Sequence, residues 1–353
     1  MARVGAAALA LAMAACAHSE PFEPGDPETA RPVDHALPAR LTFNVGDDRS
    51  PSGAGDEVIY SRYDPARGTS AHCIAALPAA GGPLRATWCP PPPSPADTFV
   101  GTWLEPALSP DGRELAFVWQ RGAAVSALGA WSHHLVVASV DSPGVPRVVT
   151  MLAGFMPDGR RYNTAAKLSW VGGRVLFLAA LDSIEKVKGG GAARFTDTAV
   201  VPRALFAMDP ATGTPTPVPG GDSAVAYAPA PSGELWIARA GGTIGLLDAD
   251  GTFTPVTSVA GAVTDLVVVD GRLVVADGMP LVEWIDPATG ARGTRAARGP
   301  VRRLAATTGR RFVAEVEADE RAFGAPANLW LFELPATATP AAARAAGAGA
   351  ERD

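Results

Sequence analysis

The chain has 353 residues, 47% of them hydrophobic, and 30 Lys and Arg against 36 Asp and Glu give a formal net charge of −6. This charge argues against binding to nucleic acid, because affinity for a phosphate backbone comes from clustered Lys and Arg. The length is enough for one large domain, with room for short terminal segments.

The N-terminus has the pattern of an export signal. Arg3 supplies one positive charge, residues 4–15 are all apolar or small, and Cys16 follows. Twelve residues are too few for a transmembrane helix, which needs about 20, but they suit a secretory signal. Small residues directly before a Cys resemble the lipobox of bacterial lipoproteins, which prefers Leu where Met13 stands. The alternative is an ordinary secretory signal cut a few residues later, with Cys16 discarded.

The lipobox resemblance implies that residues 1–15 are removed and that the thiol of Cys16 carries diacylglycerol. The mature protein is then expected in the bacterial cell envelope, facing the periplasm, more on the outer than on the inner membrane, or at the cell surface. We predict that Cys16→Ser moves the protein from the membrane fraction to the soluble fraction, as measured by fractionation and immunoblotting. Membrane association that survives the substitution would contradict the lipid anchor.

The remaining chain divides by composition into a tether, one domain and a tail. Residues 16–36 are rich in Pro, Glu and Asp with one aromatic residue, which is typical of a flexible tether. Residues 338–353 are mostly Ala and Gly without an amphipathic face, and we expect them to be disordered. Residues 37–337 form the predicted domain. It has no segment that is long and apolar enough to span a membrane.

A repeat within this domain predicts an all-β fold. The pentapeptide DPATG occurs at residues 209–213 and again at 286–290, and the related DADG at 248–251 divides the interval into steps of 39 and 38 residues. Gly and Pro interrupt short β-branched runs every 8 to 12 residues, as in a sandwich, barrel or propeller. Each unit contains four strand patterns, and four antiparallel strands per repeat are the signature of a propeller.

Six units fit between residues 39 and 337. In each unit a tight turn joins the first two strands and another joins the third to the fourth. The first set of turns is expected near Gly55, 109–112, 172–173, 232–233, 270–271 and Gly309. The second set is expected at 78–82, 141–144, 209–213, 248–251, 286–290 and 333–336.

One of these units resembles a known family. Residues 107–119, ALSPDGRELAFVW, resemble the WD-related repeat of TolB-type six-bladed β-propellers, and residues 169–179, SWVGGRVLFLA, are a weaker copy. The resemblance covers about 40 residues strongly and the rest of the domain loosely. TolB has an additional N-terminal domain, for which this chain has no room. The resemblance implies a six-bladed β-propeller.

The two ends of such a ring must pair, because an open outer edge invites aggregation. Residues 39–45, ARLTFNV, precede the first unit and stand where a fourth strand is needed. We therefore predict that this N-terminal strand closes the last blade.

The two remaining cysteines, Cys73 and Cys89, lie on either side of the 78–82 turn and nearly equidistant from it. An exported protein meets an oxidising compartment, so we expect a disulfide rather than two free thiols. Neither Cys has a second ligand at chelating spacing, and the sequence predicts no metal site and no cofactor.

Loop length predicts which face of the propeller binds a partner. The turns named above share one face and are tight, whereas long segments on the other face occur at 90–103, 121–132, 154–165, 181–201 and 316–327. Long loops on a rigid scaffold commonly carry binding groups. The binding-face candidates on them are Trp103, Trp131, Tyr162, Lys186, Lys188, Arg194, Glu317, Asp319 and Glu320.

Two classes of function agree with this architecture. The first is a monomeric, non-catalytic binding or scaffold lipoprotein that holds a protein, peptide or glycan of the envelope on the long-loop face. The alternative is a propeller hydrolase or other sugar-active enzyme with carboxylates at the channel mouth. By the predicted register, Asp48 and Glu105 stand at equivalent positions of neighbouring first strands and are the predicted acid/base pair, with Asp222 and Asp265 as further candidates.

Overall fold

The computed structural model describes residues 37–43, 46–64, 72–91, 99–123, 131–153, 160–183, 203–317 and 327–336. Their regular structure consists of 24 β-strands. No helix in these ranges is long and apolar enough to cross a membrane.

The strands form six four-stranded antiparallel sheets, the blades of a six-bladed propeller. Blade 1 contains β2 (Asp48–Ala54), β3 (Glu57–Tyr63), β4 (His72–Pro78) and β5 (Ala86–Trp88). Blade 2 contains β6 (Phe99–Leu108), β7 (Glu114–Ala123), β8 (Trp131–Ser139) and β9 (Pro146–Ala153). Blade 3 contains β10 (Arg160–Val171), β11 (Arg174–Ser183), β12 (Ala204–Met208) and β13 (Pro215–Asp222).

The second half of the ring repeats this order. Blade 4 contains β14 (Ala224–Pro229), β15 (Leu235–Arg239), β16 (Thr243–Leu247) and β17 (Phe253–Ser258). Blade 5 contains β18 (Asp265–Val269), β19 (Arg272–Ala276), β20 (Leu281–Ile285) and β21 (Arg292–Ala296). Blade 6 contains β22 (Val301–Ala306), β23 (Arg311–Glu317), β24 (Ala327–Glu333) and the N-terminal β1 (Ala39–Arg40). The predicted all-β class and six-bladed architecture are confirmed.

The two DPATG segments form the same turn between third and fourth strands. The carboxylate of Asp209 accepts a hydrogen bond from the Ala211 amide at 2.8 Å, and that of Asp286 accepts one from the Ala288 amide at 2.9 Å. Each turn ends at a Gly with a φ near +70°, a conformation that favours glycine. The repeat thus reflects the side-chain and backbone requirements of one turn type.

The blades pack face to face through apolar side chains that alternate along the strands. In β3, Val58 and Tyr60 pack against blade 6, whereas Ile59 packs against blade 2. Six such clusters occur, one between each pair of neighbouring blades. The ring is therefore held together by six interfaces, and the innermost strands β2, β6, β10, β14, β18 and β22 surround its axis.

The N-terminal strand closes the ring as predicted. The turn predicted at 333–336 is therefore wrong, because the fourth strand of blade 6 is β1 and no turn joins β24 to it. β1 pairs antiparallel with β24, with Ala39 opposite Leu331, and the Leu41 amide donates to the Leu329 carbonyl at 2.8 Å. The Thr42 hydroxyl continues the contact by accepting a hydrogen bond from the Leu329 amide at 3.0 Å. The strand itself is shorter than the predicted 39–45, because a side chain takes over the pairing at Thr42.

The predicted disulfide is also confirmed. Cys73 in β4 and Cys89 just after β5 are joined with an S–S distance of 2.00 Å. The bond links the third strand of blade 1 to the end of its fourth strand.

Candidate functional site

The first strands of blades 1, 2 and 3 share a local irregularity that turns a side chain toward the axis. Each contains a β-bulge, and at each bulge one residue has a positive φ: Ser50 (52°), Glu105 (50°) and Lys167 (53°). Such a conformation is uncommon outside glycine. Bulges re-aim a side chain out of the regular alternation, and they are frequent near binding sites. These three residues are therefore structurally equivalent.

Four charged residues meet at the axis, and we call them the axial cluster: Glu105 of blade 2, Lys167 of blade 3, Asp265 of blade 5 and Arg303 of blade 6. They line a cavity of about 550 Å³ together with residues from all six inner strands. The cavity lining also includes the turn residues Gly55 and 109–112, so the cavity opens on the face of the tight turns.

Asp265 is the fully enclosed carboxylate of the axial cluster. One oxygen accepts hydrogen bonds from the Lys167 ammonium and from the Leu266 amide at 2.9 Å. The other accepts from the Leu304 amide at 2.7 Å. Only 1% of its side chain is exposed. Asp265 therefore binds blade 3 to blade 5 and blade 5 to blade 6.

Glu105 is the carboxylate of the cluster that faces the cavity. One oxygen lies 3.3 Å from the Arg303 guanidinium, and the other accepts a hydrogen bond from the Lys167 amide at 2.7 Å. Its side chain is 15% exposed. A carboxylate has about four lone-pair positions, so Glu105 retains acceptor capacity toward a molecule in the cavity.

The electrostatics of the cluster follow from burial and pairing. Burial lowers the pKa of the Lys167 ammonium, and Asp265 partly opposes this effect. The neighbouring Glu105 carboxylate raises the pKa of Arg303, which stays charged. Burial raises the pKa of Glu315 to about 7, although the Ser50 amide donates a hydrogen bond to its carboxylate at 2.8 Å. Glu315 lies opposite Arg303 in the β22–β23 pair, so a further negative charge develops beside Arg303 near neutral pH.

Blade 4 contributes no residue to the axial cluster, but its Tyr227 supports the backbone that carries Lys167. Tyr227 is fully buried, and its hydroxyl lies against the Lys167 carbonyl and, at 3.0 Å, the Leu176 carbonyl. Burial raises the pKa of this hydroxyl, which keeps it a hydrogen-bond donor. Tyr227 thereby fixes the backbone of the bulge that presents Lys167.

The walls above the cluster combine apolar and hydroxyl groups. The indole of Trp170 is half-buried and donates to the Ala107 carbonyl at 3.1 Å, which orients the ring. Ser52, Ser109 and Ser169 add hydroxyls to the same lining. Its other apolar side chains include Pro51, Pro106, Leu108, Pro229 and Val268. A small molecule with both apolar and hydroxylated surface fits such walls.

The predicted pairing of Asp48 with Glu105 is wrong in its register. Asp48 is fully buried at the start of β2 and does not line the cavity, whose lining in β2 begins at Ser50. The bulge that follows Arg49 adds a residue to the strand, so Ser50 is the residue of blade 1 that corresponds to Glu105. Asp222 is also misplaced, because it is exposed at the end of the outer strand β13.

The aromatic residues predicted on loops lie in strands. Trp103 in β6 is fully buried and packs on Phe117, with ring centroids 4.6 Å apart, so it belongs to the core between blades 1 and 2. Trp131 lies in β8 and Tyr162 in β10, and their side chains are outside the described part of the structure. The strands of blades 2 and 3 extend further than the sequence pattern predicts, because their ends lack the alternation that marks a buried strand.

Most of the predicted charged binding face falls outside the described residues. This applies to Lys186, Lys188, Arg194, Asp319 and Glu320, and also to the proposed lipid-attachment residue Cys16. Glu317 is described: it ends β23 and forms an ion pair with Arg302 at 2.8 Å. Binding on the long-loop face therefore stays a prediction.

The prediction missed the two cations Lys167 and Arg303, although the sequence contained a signal for them. The residues Ser50, Glu105, Lys167, Asp265 and Arg303 each stand five to seven positions before the glycine of the first turn in their blade. Counting back from those glycines would have placed Lys167 and Arg303 beside Glu105. The spacing varies because the first turns differ in length and because some inner strands contain bulges, which the sequence pattern does not reveal.

The comparisons with known proteins place the fold. No family model and no curated protein matches the chain. A gluconolactonase from Xanthomonas campestris is 14% identical, with a TM-score of 0.50, covering 87% of this chain and 99% of that one. The calcium-binding protein regucalcin from Agrobacterium tumefaciens is 13% identical, also with a TM-score of 0.50, covering 84% and 92%. At these identities the likeness shows the shared fold alone. The TolB-type resemblance rests on the motif at residues 107–119.

Proposed function

We propose that the protein is a hydrolase that acts on a small, sugar-derived molecule in the axial cavity. The observation that carries this proposal is the placement of the axial cluster at the floor of a cavity of about 550 Å³. Cavities of about 300 to 1,000 Å³ with apolar walls and a few convergent polar groups are typical of small-molecule sites. This favours the enzyme alternative over the scaffold interpretation, which relied on the long-loop face.

Glu105 is the residue proposed to act as general base. It is partly exposed to the cavity, whereas Asp265 is enclosed and all its acceptors face protein donors. A general base must reach the proton that it abstracts directly or through one water. The pairing of Glu105 with Arg303 and with the Lys167 amide holds its carboxylate in one orientation, which a base requires.

The proposed substrate class is taken from the name of one structure of the same fold. The gluconolactonase of Xanthomonas campestris shares this fold, and its name states a sugar-derived substrate. We propose the same kind of substrate for this chain. The half-buried Trp170 and the serine hydroxyls of the cavity suit such a molecule, because sugars present apolar C–H faces and many hydroxyls.

The residues present do not fit a calcium ion of the kind that the name of regucalcin describes. Calcium takes six to eight oxygen ligands. The axial cluster offers two carboxylates, and each is already paired with a cation, Lys167 or Arg303. Among the described residues, the one group of three potential metal ligands is Asp64, Cys73 and Cys89, and its two cysteines form the disulfide.

We predict that Glu105→Gln lowers kcat at least 100-fold, because loss of a positioned general base typically costs 10² to 10⁴ in rate. The assay measures hydrolysis of a panel of aryl glycosides, aryl esters and sugar lactones by absorbance or proton release. Glu283→Gln is the matched control, since Glu283 pairs with Arg292 on the surface of blade 5 and does not line the cavity. Equal activity in the Glu105→Gln variant and the wild type would refute the proposed base.

A further inference from the structure

The axial cluster places two cations beside its one accessible carboxylate, and the geometry points to a use for them. We infer that Lys167 and Arg303 hold the oxyanion that forms when a carboxylic ester is hydrolysed in the cavity, so that the reaction needs no metal ion. The inference rests on the proposed function, because it takes the substrate to occupy the axial cavity and Glu105 to activate water.

Both cations have hydrogen-bond donors left for a ligand. An ammonium has three N–H donors, and the described residues give Lys167 two acceptors, Asp265 and the Leu266 carbonyl. A guanidinium has five, and the described residues give Arg303 one acceptor, Glu105. Their side chains are 10% and 19% exposed, and both residues line the cavity. Their remaining donors can therefore meet a negatively charged oxygen there.

The positions of the carboxylates argue against cleavage of a glycosidic bond. Glycosidases generally use two carboxyl groups that both reach the substrate, one as acid and the other as base or nucleophile. Here Asp265 is 1% exposed, and both of its oxygens already accept hydrogen bonds. One accessible carboxylate with two cations instead matches acyl transfer, which needs one base and donors aimed at the developing oxyanion.

The proposed reaction balances without a further reagent. Glu105 accepts a proton from water as the water oxygen bonds to the ester carbonyl carbon. The carbonyl electron pair moves onto oxygen, and the resulting oxyanion is held by N–H donors of Lys167 and Arg303. When the carbonyl re-forms, the bond to the alcohol oxygen breaks, and Glu105 returns its proton to that oxygen. The products are a carboxylic acid and an alcohol.

The test compares Lys167→Met and Arg303→Met with the wild type in hydrolysis of p-nitrophenyl acetate and phenyl acetate. Loss of an oxyanion donor typically lowers kcat by 10² to 10³, so we expect a fall of about 100-fold in each variant with KM within about threefold. Arg303→Lys should recover part of the rate, because an ammonium restores the positive charge but has three N–H donors instead of the five of a guanidinium. If the two residues had a purely structural role, their substitution would change the melting temperature but would not lower kcat while leaving KM nearly unchanged.

Two measurements apply even where a variant folds poorly. Wild-type ester hydrolysis should be unchanged by EDTA and by added Ca²⁺. Methylphosphonate, a tetrahedral anion, should bind the wild type in calorimetry, and where Arg303→Met folds it should bind that variant at least tenfold more weakly. Loss of activity in EDTA with recovery in Ca²⁺, full kcat in a folded Lys167→Met variant, or no methylphosphonate binding would each overturn the inference.

The inference and the proposed function fail in different ways. If the wild type cleaves aryl glycosides but no ester, the proposed function stands and the role of the two cations falls. If the wild type cleaves neither class, the proposed hydrolase falls, and this inference falls with it.

Discussion

Asp265→Ala is expected to lower the free energy of unfolding by about 3 to 5 kcal/mol at pH 7, the usual cost of removing one partner of a buried ion pair. The variant leaves the Lys167 ammonium buried with the Leu266 carbonyl as its remaining acceptor among the described residues. It also removes the acceptor of the Leu266 and Leu304 amides. Urea denaturation followed by fluorescence measures the change.

Lys167→Met should cost less than Asp265→Ala. Asp265 keeps two backbone N–H donors when the lysine is absent, whereas the lysine keeps one carbonyl acceptor when the aspartate is absent. The double variant should be less destabilised than the sum of the single variants, because the two groups interact directly. Asp222→Ala, at an exposed position of β13, is the control and should change stability by about 0.5 kcal/mol or less.

The cost of Asp265→Ala should also depend on pH. Burial already lowers the pKa of Lys167, and Asp265 is the group that raises it most. Without Asp265 the folded-state pKa falls further, so the unfolded chain binds more protons than the folded chain up to the ordinary lysine pKa of about 10.4. Stability then rises with pH, and the deficit should be smaller at pH 9.5 than at pH 7. A deficit that is equal or larger at pH 9.5 would contradict the buried ion pair.

Removal of residues 37–46 is the second change with a large expected effect. It deletes β1 and leaves the edge of β24 unpaired, and it removes the buried Leu41 and the hydroxyl of Thr42 that accepts from Leu329. Burial of one Leu contributes about 2 kcal/mol, and each hydrogen bond contributes about 1 kcal/mol. We expect a total loss of about 5 kcal/mol and a melting temperature at least about 10 °C lower.

A truncation of residues 17–36 is the matched control for this deletion, since the sequence predicts that this segment is a tether. Its melting temperature in differential scanning calorimetry should equal that of the mature protein. A 37–46 deletion that melts as a single transition at the unchanged temperature would show that the ring does not depend on its N-terminal strand.

The fold was largely predictable because its constraints are local. In blade 5 the turns predicted at 270–271 and 286–290 join β18 to β19 and β20 to β21, as the structure shows. The turn at Asp286 is determined by one side chain that accepts from its own backbone and by one glycine with positive φ. Closure followed from the place of residues 39–45 before the first unit, and the disulfide followed from the positions of Cys73 and Cys89 on either side of one turn.

The site was predictable only in part because it is assembled across the axis. Glu105 was selected from its place in an inner strand, and it lines the cavity. Its partner Arg303 lies 198 residues away in the chain, and Lys167 reaches Asp265 over 98 residues. No local pattern links these residues. Because of the bulge in β2, the residue of blade 1 that corresponds to Glu105 is Ser50 and not Asp48. The bulges change which side chain faces the axis, and the sequence pattern does not indicate where they occur.

The sequence by itself determined the all-β class, the number of blades, both turns of blades 1 to 5, the first turn of blade 6, the closing strand and the disulfide. These features depend on strand alternation, on glycine and aspartate at turns, and on spacing along the chain. Only the tertiary structure decided that the cavity opens on the tight-turn face and that two cations accompany Glu105 at its floor. The physical reason is that a ring brings together one residue from each distant blade, and a single-residue bulge in an inner strand decides which residue that is.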